Sequence, residues 1–142
     1  MATSYRLKVV TPERTVCDQA VTMISVRSTE GEIGILAHHV HIITPLVPYV
    51  MTIYGADGKT EHLNLGGGFL EVGDTTIILA DSAEWASEID VVRAERARQR
   101  AVEMLATGGP NIDLKRAQRA LARAENRLKL AADEAVSSAS TK

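Results

Sequence analysis

The sequence contains a single cysteine, Cys17, in 142 residues. A lone thiol excludes an internal disulfide framework and a cysteine-based zinc site. Aromatic residues are scarce as well: Tyr5, Tyr49, Tyr54, Phe69 and Trp85 are all there are, too few for the stacking platforms that hold nucleic acids. A net charge of -2 leaves no excess of base for a polyanion. The longest apolar runs, such as Ile42 to Met51, are interrupted by Thr44, Pro45 and Pro48 and fall well short of the roughly 20 residues of a membrane-spanning helix. The opening Met1-Ala2-Thr3-Ser4-Tyr5-Arg6 has neither the basic end nor the apolar stretch of a secretory leader, so a cytoplasmic compartment is expected. The length admits one domain, or a small domain with an appendage, and excludes a multidomain enzyme.

What is present divides into two parts. Hydrophobic residues make up 45% and charged residues 24%, ordinary usage for a chain that buries a core. Residues 1–86 carry five Lys/Arg against ten Asp/Glu, and residues 87–142 carry eleven against eight, giving -5 and +3. Up to about Asp81 the hydrophobic period is short. Tyr5, Leu7 and Val9 alternate with Arg6, Lys8 and Val10, while Val21, Met23, Ser25 and Arg27 interleave with Thr22, Ile24, Val26 and Ser28; period two is the mark of strands. Turn signals at Thr11-Pro12-Glu13, Glu30-Gly31-Glu32, Asp57-Gly58, Gly66-Gly67-Gly68 and Gly73-Asp74 predict an antiparallel β-sandwich or barrel over 1–86. The clearest hairpin is the one around Asp57-Gly58.

Beyond Ser82 the composition turns to Ala, Arg, Glu and Leu, without glycine or proline until Gly108-Gly109-Pro110. This predicts an antiparallel two-helix hairpin over 87–142. Ser87 with Asp90 resembles a capping box that starts the first helix, running to about Ala106. Asp113 caps a second helix to about Ala135, and the tail from Ser137 to Lys142 is expected to fray. Leu114, Ala117, Leu121, Ala124, Leu128, Ala131 and Ala135 recur at steps of three and four. They form a seam expected to pack against Ile89, Val92, Ala97, Ala101 and Leu105. Alternate seam positions are alanine, which buries little area, so the hairpin is expected to dock modestly and to be able to come apart.

Few residues suggest chemistry. His38, His39 and His41 crowd together, and imidazole is a common metal ligand, but no Asp or Glu follows within a dozen residues to complete a site. Gly66-Gly67-Gly68 lacks the Lys-Ser/Thr and the helix start of a phosphate loop, and reads as a bulge or a close backbone approach. Nothing resembles a nucleophile elbow or a zinc-protease helix. Arg93 and Arg100, seven apart, and Arg116, Arg119, Arg123 and Arg127, at steps of three and four, each fall on one helical face. Such arginines are solvated, paired with Glu95, Glu103 and Glu125, or convergent on phosphate.

Several stretches resemble the epsilon subunit of the F-type ATP synthase, from about Tyr5 to Leu130: Leu7-Lys8-Val9-Val10-Thr11-Pro12, Glu30-Gly31-Glu32-Ile33-Gly34-Ile35-Leu36, Gly67-Gly68-Phe69-Leu70-Glu71-Val72, and Ile77 to Glu84 followed by Glu88-Ile89-Asp90-Val91-Val92-Arg93-Ala94. One stretch departs. Where the family has Pro-Gly-His-x-Pro, this chain has Ala37-His38-His39-Val40-His41 and retains only His39.

The resemblance implies a non-catalytic rotor part of the central stalk, peripheral on the cytoplasmic face of the cell membrane, coupling ion flow to ATP synthesis. Its sandwich would sit against the gamma subunit and the ring of c subunits, with Glu32 and His39 on the loop at the ring interface. Its hairpin would face the catalytic alpha and beta subunits and restrain ATP hydrolysis by changing conformation. By the same resemblance, ATP is a regulatory ligand held by Glu84, Asp90, Arg93, Arg100, Arg123 and Arg127, with no metal and no required cofactor. Two rival readings are a free-standing two-module adaptor and a small metal-dependent hydrolase built on His38, His39 and His41.

Overall fold

The computed structural model describes residues 3–110 and 113–140, with side chains described as far as Ala132. The chain divides into two compact units, one ending at Trp85 and the other beginning at Ala86.

The first unit is a β-sandwich of nine strands among the described residues: β1 (Tyr5–Val10), β2 (Thr15–Ser28), β3 (Gly31–Leu36), β4 (Ile42–Leu46), β5 (Tyr49–Gly55), β6 (Thr60–Leu65), β7 (Gly68–Val72), β8 (Thr75–Ala80) and β9 (Ala83–Trp85). The pairings β1–β8–β7–β4–β2–β1 close on themselves, and β5, β6 and β9 extend the sheet from β2. All pairings are antiparallel except that of β1 with β8, which is parallel. Leu7 and Val9 of β1 are fully buried, as the alternation requires. β2 departs from simple alternation. Cys17 and Val21 point inward in its first half, and Ile24, Val26 and Ser28 in its second. The change of parity is a β-bulge: Val21 lies opposite Gly55 and Met23 opposite Tyr54, so Thr22 is the extra residue. Its hydroxyl donates to the Tyr54 carbonyl at 3.2 Å.

The turns form where their side chains can bond the backbone. Asp57 Oδ1 accepts from the Lys59 amide at 2.9 Å and closes the β5–β6 hairpin, and the Ser28 hydroxyl accepts from the Glu30 amide at 3.1 Å in the β2–β3 turn. Large aliphatic side chains, including Leu7, Ile24, Ile35, Met51, Ile53 and Leu63, fill the core. Cys17 joins them, and burial together with the nearby Glu61 and Asp18 carboxylates pushes its thiol up to about 11.

The second unit opens with a 3-10 turn at Ala86–Glu88, followed by α1 (Val91–Thr107) and α2 (Leu114–Ser140). The α1 cap is Asp90, not Ser87: its carboxylate accepts from the Arg93 amide at 3.0 Å. Ser87 is taken up in the 3-10 turn, whose Ile89 amide bonds the Ala86 carbonyl, and so the cap lies three residues later than in the capping-box reading. Gly108 ends α1 in the left-handed conformation, its amide on the Met104 carbonyl at 3.3 Å. Asp113 caps α2 as expected, accepting from the Arg116 amide at 3.1 Å.

The buried apolar side chains described in this unit are Ala94, Ala101, Ala117, Ala124 and Leu130. Two seam expectations are corrected: Val92 and Leu114 are more than half exposed, and Ala94 takes the inward place assigned to Val92. Val92 falls in the first turn after Asp90, and the covered stripe of α1 runs in phase with Ala94 and Ala101. α2 also continues as helix through Ser140, five residues beyond Ala135 and into the tail expected to fray; Thr141 and Lys142, and the side chain of Ala135, lie outside the described residues.

The closest backbone approach is at Gly68, with φ +139° and Ala80 as its cross-strand partner. A Cβ there would lie 2.1 Å from the Leu79 carbonyl oxygen and 2.8 Å from Ala80 Cα, both backbone atoms. Gly68→Ala is therefore expected to cost roughly 3 kcal/mol or more, as overlap adds to backbone strain. Urea unfolding of the full chain followed by far-ultraviolet circular dichroism checks this, with Gly58→Ala, which meets no atom within 4 Å, as the milder comparison.

Candidate functional site

The residues singled out in the sequence fall in three places. Glu84 is in the first unit, on β9 opposite Asn64 of β6. Its Oε1 accepts from Asn64 Nδ2 at 3.2 Å. Asn64 is buried, and its Oδ1 has no hydrogen-bond partner among the described residues. Sequence reasoning passed over it, although a polar residue between Leu63 and Leu65 in a core strand was a visible signal.

Asp90, Arg93, Arg100, Arg123 and Arg127 belong to the second unit. Asp90 is committed to capping α1. Arg93 and Arg100 are exposed on α1, whereas Arg123 and Arg127 are half-buried on α2. The open groove described on α2 has a volume of about 420 Å³ and is lined by Asp113, Lys115, Arg116, Arg119 and Arg123. Four cations against one carboxylate make it a place for anions. Lys115 was missed in the sequence, yet its steps of four to Arg119 and Arg123 put it on their face. One acid pair on α1 is direct: Arg98 Nε donates to Glu95 Oε1 at 3.0 Å and holds that carboxyl below its usual range.

Glu32 and His39 do not share a loop. Glu32 is the second residue of β3 and His39 lies beyond its far end, so the strand runs between them at about 3.3 Å per residue. Glu32 Oε1 accepts from the Tyr49 hydroxyl at 2.7 Å, which raises the phenol's pKa. His38, His39 and His41 line one cavity with Asp74, but among the described residues no group of three or more His, Cys, Asp or Glu is arranged to hold a metal ion.

One face of the sandwich is unusually apolar. The register sets Pro45, Phe69, Leu79 and Val10 in one row across β4, β7, β8 and β1, beside Ile43, Glu71, Ile77 and Lys8 in the next. Of these, Ile43, Phe69 and Leu79 are between 56 and 74% exposed. Single exposed apolar residues are ordinary; rows of them mark a surface that meets something other than water.

Models of two families match the chain in succession: the beta-sandwich domain of the ATP synthase delta/epsilon chain over residues 4–86, and the long alpha-helix domain of the same chain over 87–132. The chain belongs to the ATP synthase epsilon family. The epsilon chain of Alkaliphilus metalliredigens is 44% identical over 131 residues, covering 92% of this chain and 97% of that one. That of Carboxydothermus hydrogenoformans is 49% identical over 111 residues, covering 78% and 82%. The fold is also that of a chain in the mitochondrial ATP synthase of Euglena gracilis, with a TM-score of 0.76 at 23% identity over 89% of this chain and 80% of that one. Epsilon chains are non-catalytic subunits of the ATP synthase complex, and this chain is accordingly a subunit and not an enzyme by itself. Among the described residues, no helix is long and apolar enough to cross a membrane.

The cap assignment has a direct test. Asp90→Ala is expected to remove about 1 kcal/mol from the helical unit, the usual worth of an N-cap carboxylate, and Ser87→Ala close to none. Helicity of the full chain at 222 nm, followed through thermal unfolding, distinguishes the two.

Proposed function

We propose that the chain is a rotor subunit of the central stalk, joining the gamma subunit and the c-ring through its sandwich and restraining ATP hydrolysis through its hairpin. The observation that carries this is the apolar face built on Ile43, Phe69 and Leu79. Rows of apolar side chains on a rigid sheet suit a permanent partner, for which gamma is the candidate. Glu32 and His39, at opposite ends of β3, are the residues proposed for the ring interface in this reading. A structural neighbour of the same fold, at 14% identity and a TM-score of 0.56, comes from the central stalk and c-ring of the Tetrahymena thermophila mitochondrial ATP synthase. The rotor reading attaches the chain to the cytoplasmic face of the cell membrane through the complex, where ion flow drives synthesis.

The hairpin supplies regulation. Its buried residues are mostly alanines, which hold two helices with little apolar area, so a modest partner or ligand energy shifts them between closed and extended forms. The extended form presents Arg116, Arg119 and Arg123 to acidic surfaces of the alpha and beta subunits and blocks rotation. Removing residues 87–142 is expected to raise ATP hydrolysis by the complex while leaving coupled synthesis in place; a complex that neither gains hydrolysis nor retains coupling sinks the division of labour.

ATP is the proposed ligand of the closed form, with Arg93, Arg100, Arg123 and Arg127 on its phosphates and Glu84 and Asp90 on the base and ribose side or holding the arginines. Each hydrogen bond to a charged group contributes about 1.5–3 kcal/mol. Isothermal titration of the full chain should give heat at millimolar ATP, and Arg93→Ala or Arg127→Ala should weaken binding about tenfold or more. Binding untouched by both changes returns the arginines to protein-facing or solvated roles.

A further inference from the structure

Leu63, Asn64 and Leu65 of β6 are each no more than 2% exposed. Side chains alternate between the two faces of a strand, so Leu63 and Leu65, which lie in the core, set Asn64 on the opposite face. The register gives it two cross-strand neighbours, Val50 of β5 on one side and Glu84 of β9 on the other. The Val50 side chain offers a polar amide nothing. Glu84 offers a carboxylate, and Asn64 Nδ2 donates to its Oε1 at 3.2 Å. An ionised carboxylate only accepts, so the amide meets it with its nitrogen end. Oδ1 is then turned away, and it is a buried atom without a hydrogen-bond partner among the described residues. A buried acceptor left without a donor costs stability, whereas an apolar side chain of similar volume would continue the buried run at no such cost. Asn64 is therefore a poor choice for the sheet by itself, and what it gains there is its hold on Glu84.

We infer that Asn64 is a positioning residue for nucleotide binding, which holds the Glu84 carboxylate in place before ATP arrives. This rests on the ATP reading above and commits Glu84 to the base and ribose side of the ligand. β9 is a three-residue strand at the edge of the sheet, and a glutamate on such a strand has rotamer freedom to lose on binding. With Nδ2 of a buried amide on Oε1, the carboxylate is ordered in advance, and less freedom is lost when a donor of the ligand comes to it. The donor belongs to the nucleoside half. A carboxylate repels phosphate but accepts from an exocyclic amine or a ribose hydroxyl, and one anchored to a sheet presents that acceptor in a fixed direction. Asn64 itself is too deeply buried to touch the ligand, so it acts through Glu84.

Isothermal titration of the full chain with ATP and, separately, with inorganic tripolyphosphate tests this. Tripolyphosphate keeps the phosphate charges for the arginines and lacks the base and ribose. Asn64→Leu is expected to weaken ATP binding about 3- to 10-fold, the effect of one side chain that must be ordered on binding. It should leave tripolyphosphate binding unchanged and hold or raise the urea midpoint of the chain, since the orphaned acceptor is gone. Asn64→Ala, which removes the same donor without adding bulk, should give the same selective loss. In a Glu84→Ala background neither change should weaken ATP further, because Asn64 acts through that carboxylate. ATP binding untouched by both Asn64 changes, a loss shared equally by tripolyphosphate, or a loss that persists undiminished without Glu84 overturns the inference. Unaltered ATP affinity in Glu84→Ala alone overturns it too, while leaving the arginines as phosphate ligands. No heat with ATP for the unchanged chain removes the ATP reading itself, and this inference with it.

Discussion

The sandwich depends on one strand. β2 is 14 residues long and pairs with β1, β3, β4 and β5. A strand of that length with strict alternation would keep one parity facing inward from end to end. The extra residue at Thr22 shifts the parity midway, so that Val21 before it and Ile24 and Val26 after it all enter the same core. The bulge also increases local twist, which lets a single strand serve both parts of a closing sheet. The fixed position of β4 and β7, and with them the apolar rows of the outer face, follows from where β2 ends at Ser28 opposite Leu46.

The two units are stabilised by different means. Leucine, isoleucine and methionine fill the sandwich, each contributing about 1.5–3 kcal/mol on full burial. In the hairpin the corresponding places are held by Ala94, Ala101, Ala117 and Ala124, which allow close helix approach but remove little apolar surface from water. Caps at Asp90 and Asp113 and the left-handed stop at Gly108 therefore carry a larger share of the hairpin's order. A core of large aliphatic side chains in one unit and of alanines in the other is the physical contrast on which the proposed division between a holding part and a moving part rests.

Charge follows the same division. The cationic groove on α2 gathers Lys115, Arg116, Arg119 and Arg123, whereas the sandwich is acidic overall and offers apolar rows and a histidine-lined end. Membership of the ATP synthase epsilon family accounts for the pairing of these two units in one chain. The geometry adds which surfaces are available: Glu32 is tied to Tyr49 at one end of β3, and His39 sits beside a strained His38 beyond the other.

Features set by near neighbours in the chain were legible from the amino acids alone. The inward Leu7 and Val9, the Asp57-Gly58 turn and the Asp113 cap all depend on contacts within a few residues. The tight approach at the glycine run was readable too, because the run lacked every companion of a phosphate loop. What tertiary structure decided were matters of which faces become covered by distant segments. These include the parity change at Thr22, the parallel pairing of β1 with β8, the choice of Ala94 over Val92 for the helix contact and of Asp90 over Ser87 for the cap, and the buried Asn64 beneath Glu84. The separation of Glu32 from His39 belongs here as well, since it required knowing that the intervening residues run as one extended strand. Local sequence fixes backbone preference and the spacing of side chains along an element, but burial is a property of two surfaces, and the second surface lies far away in the chain.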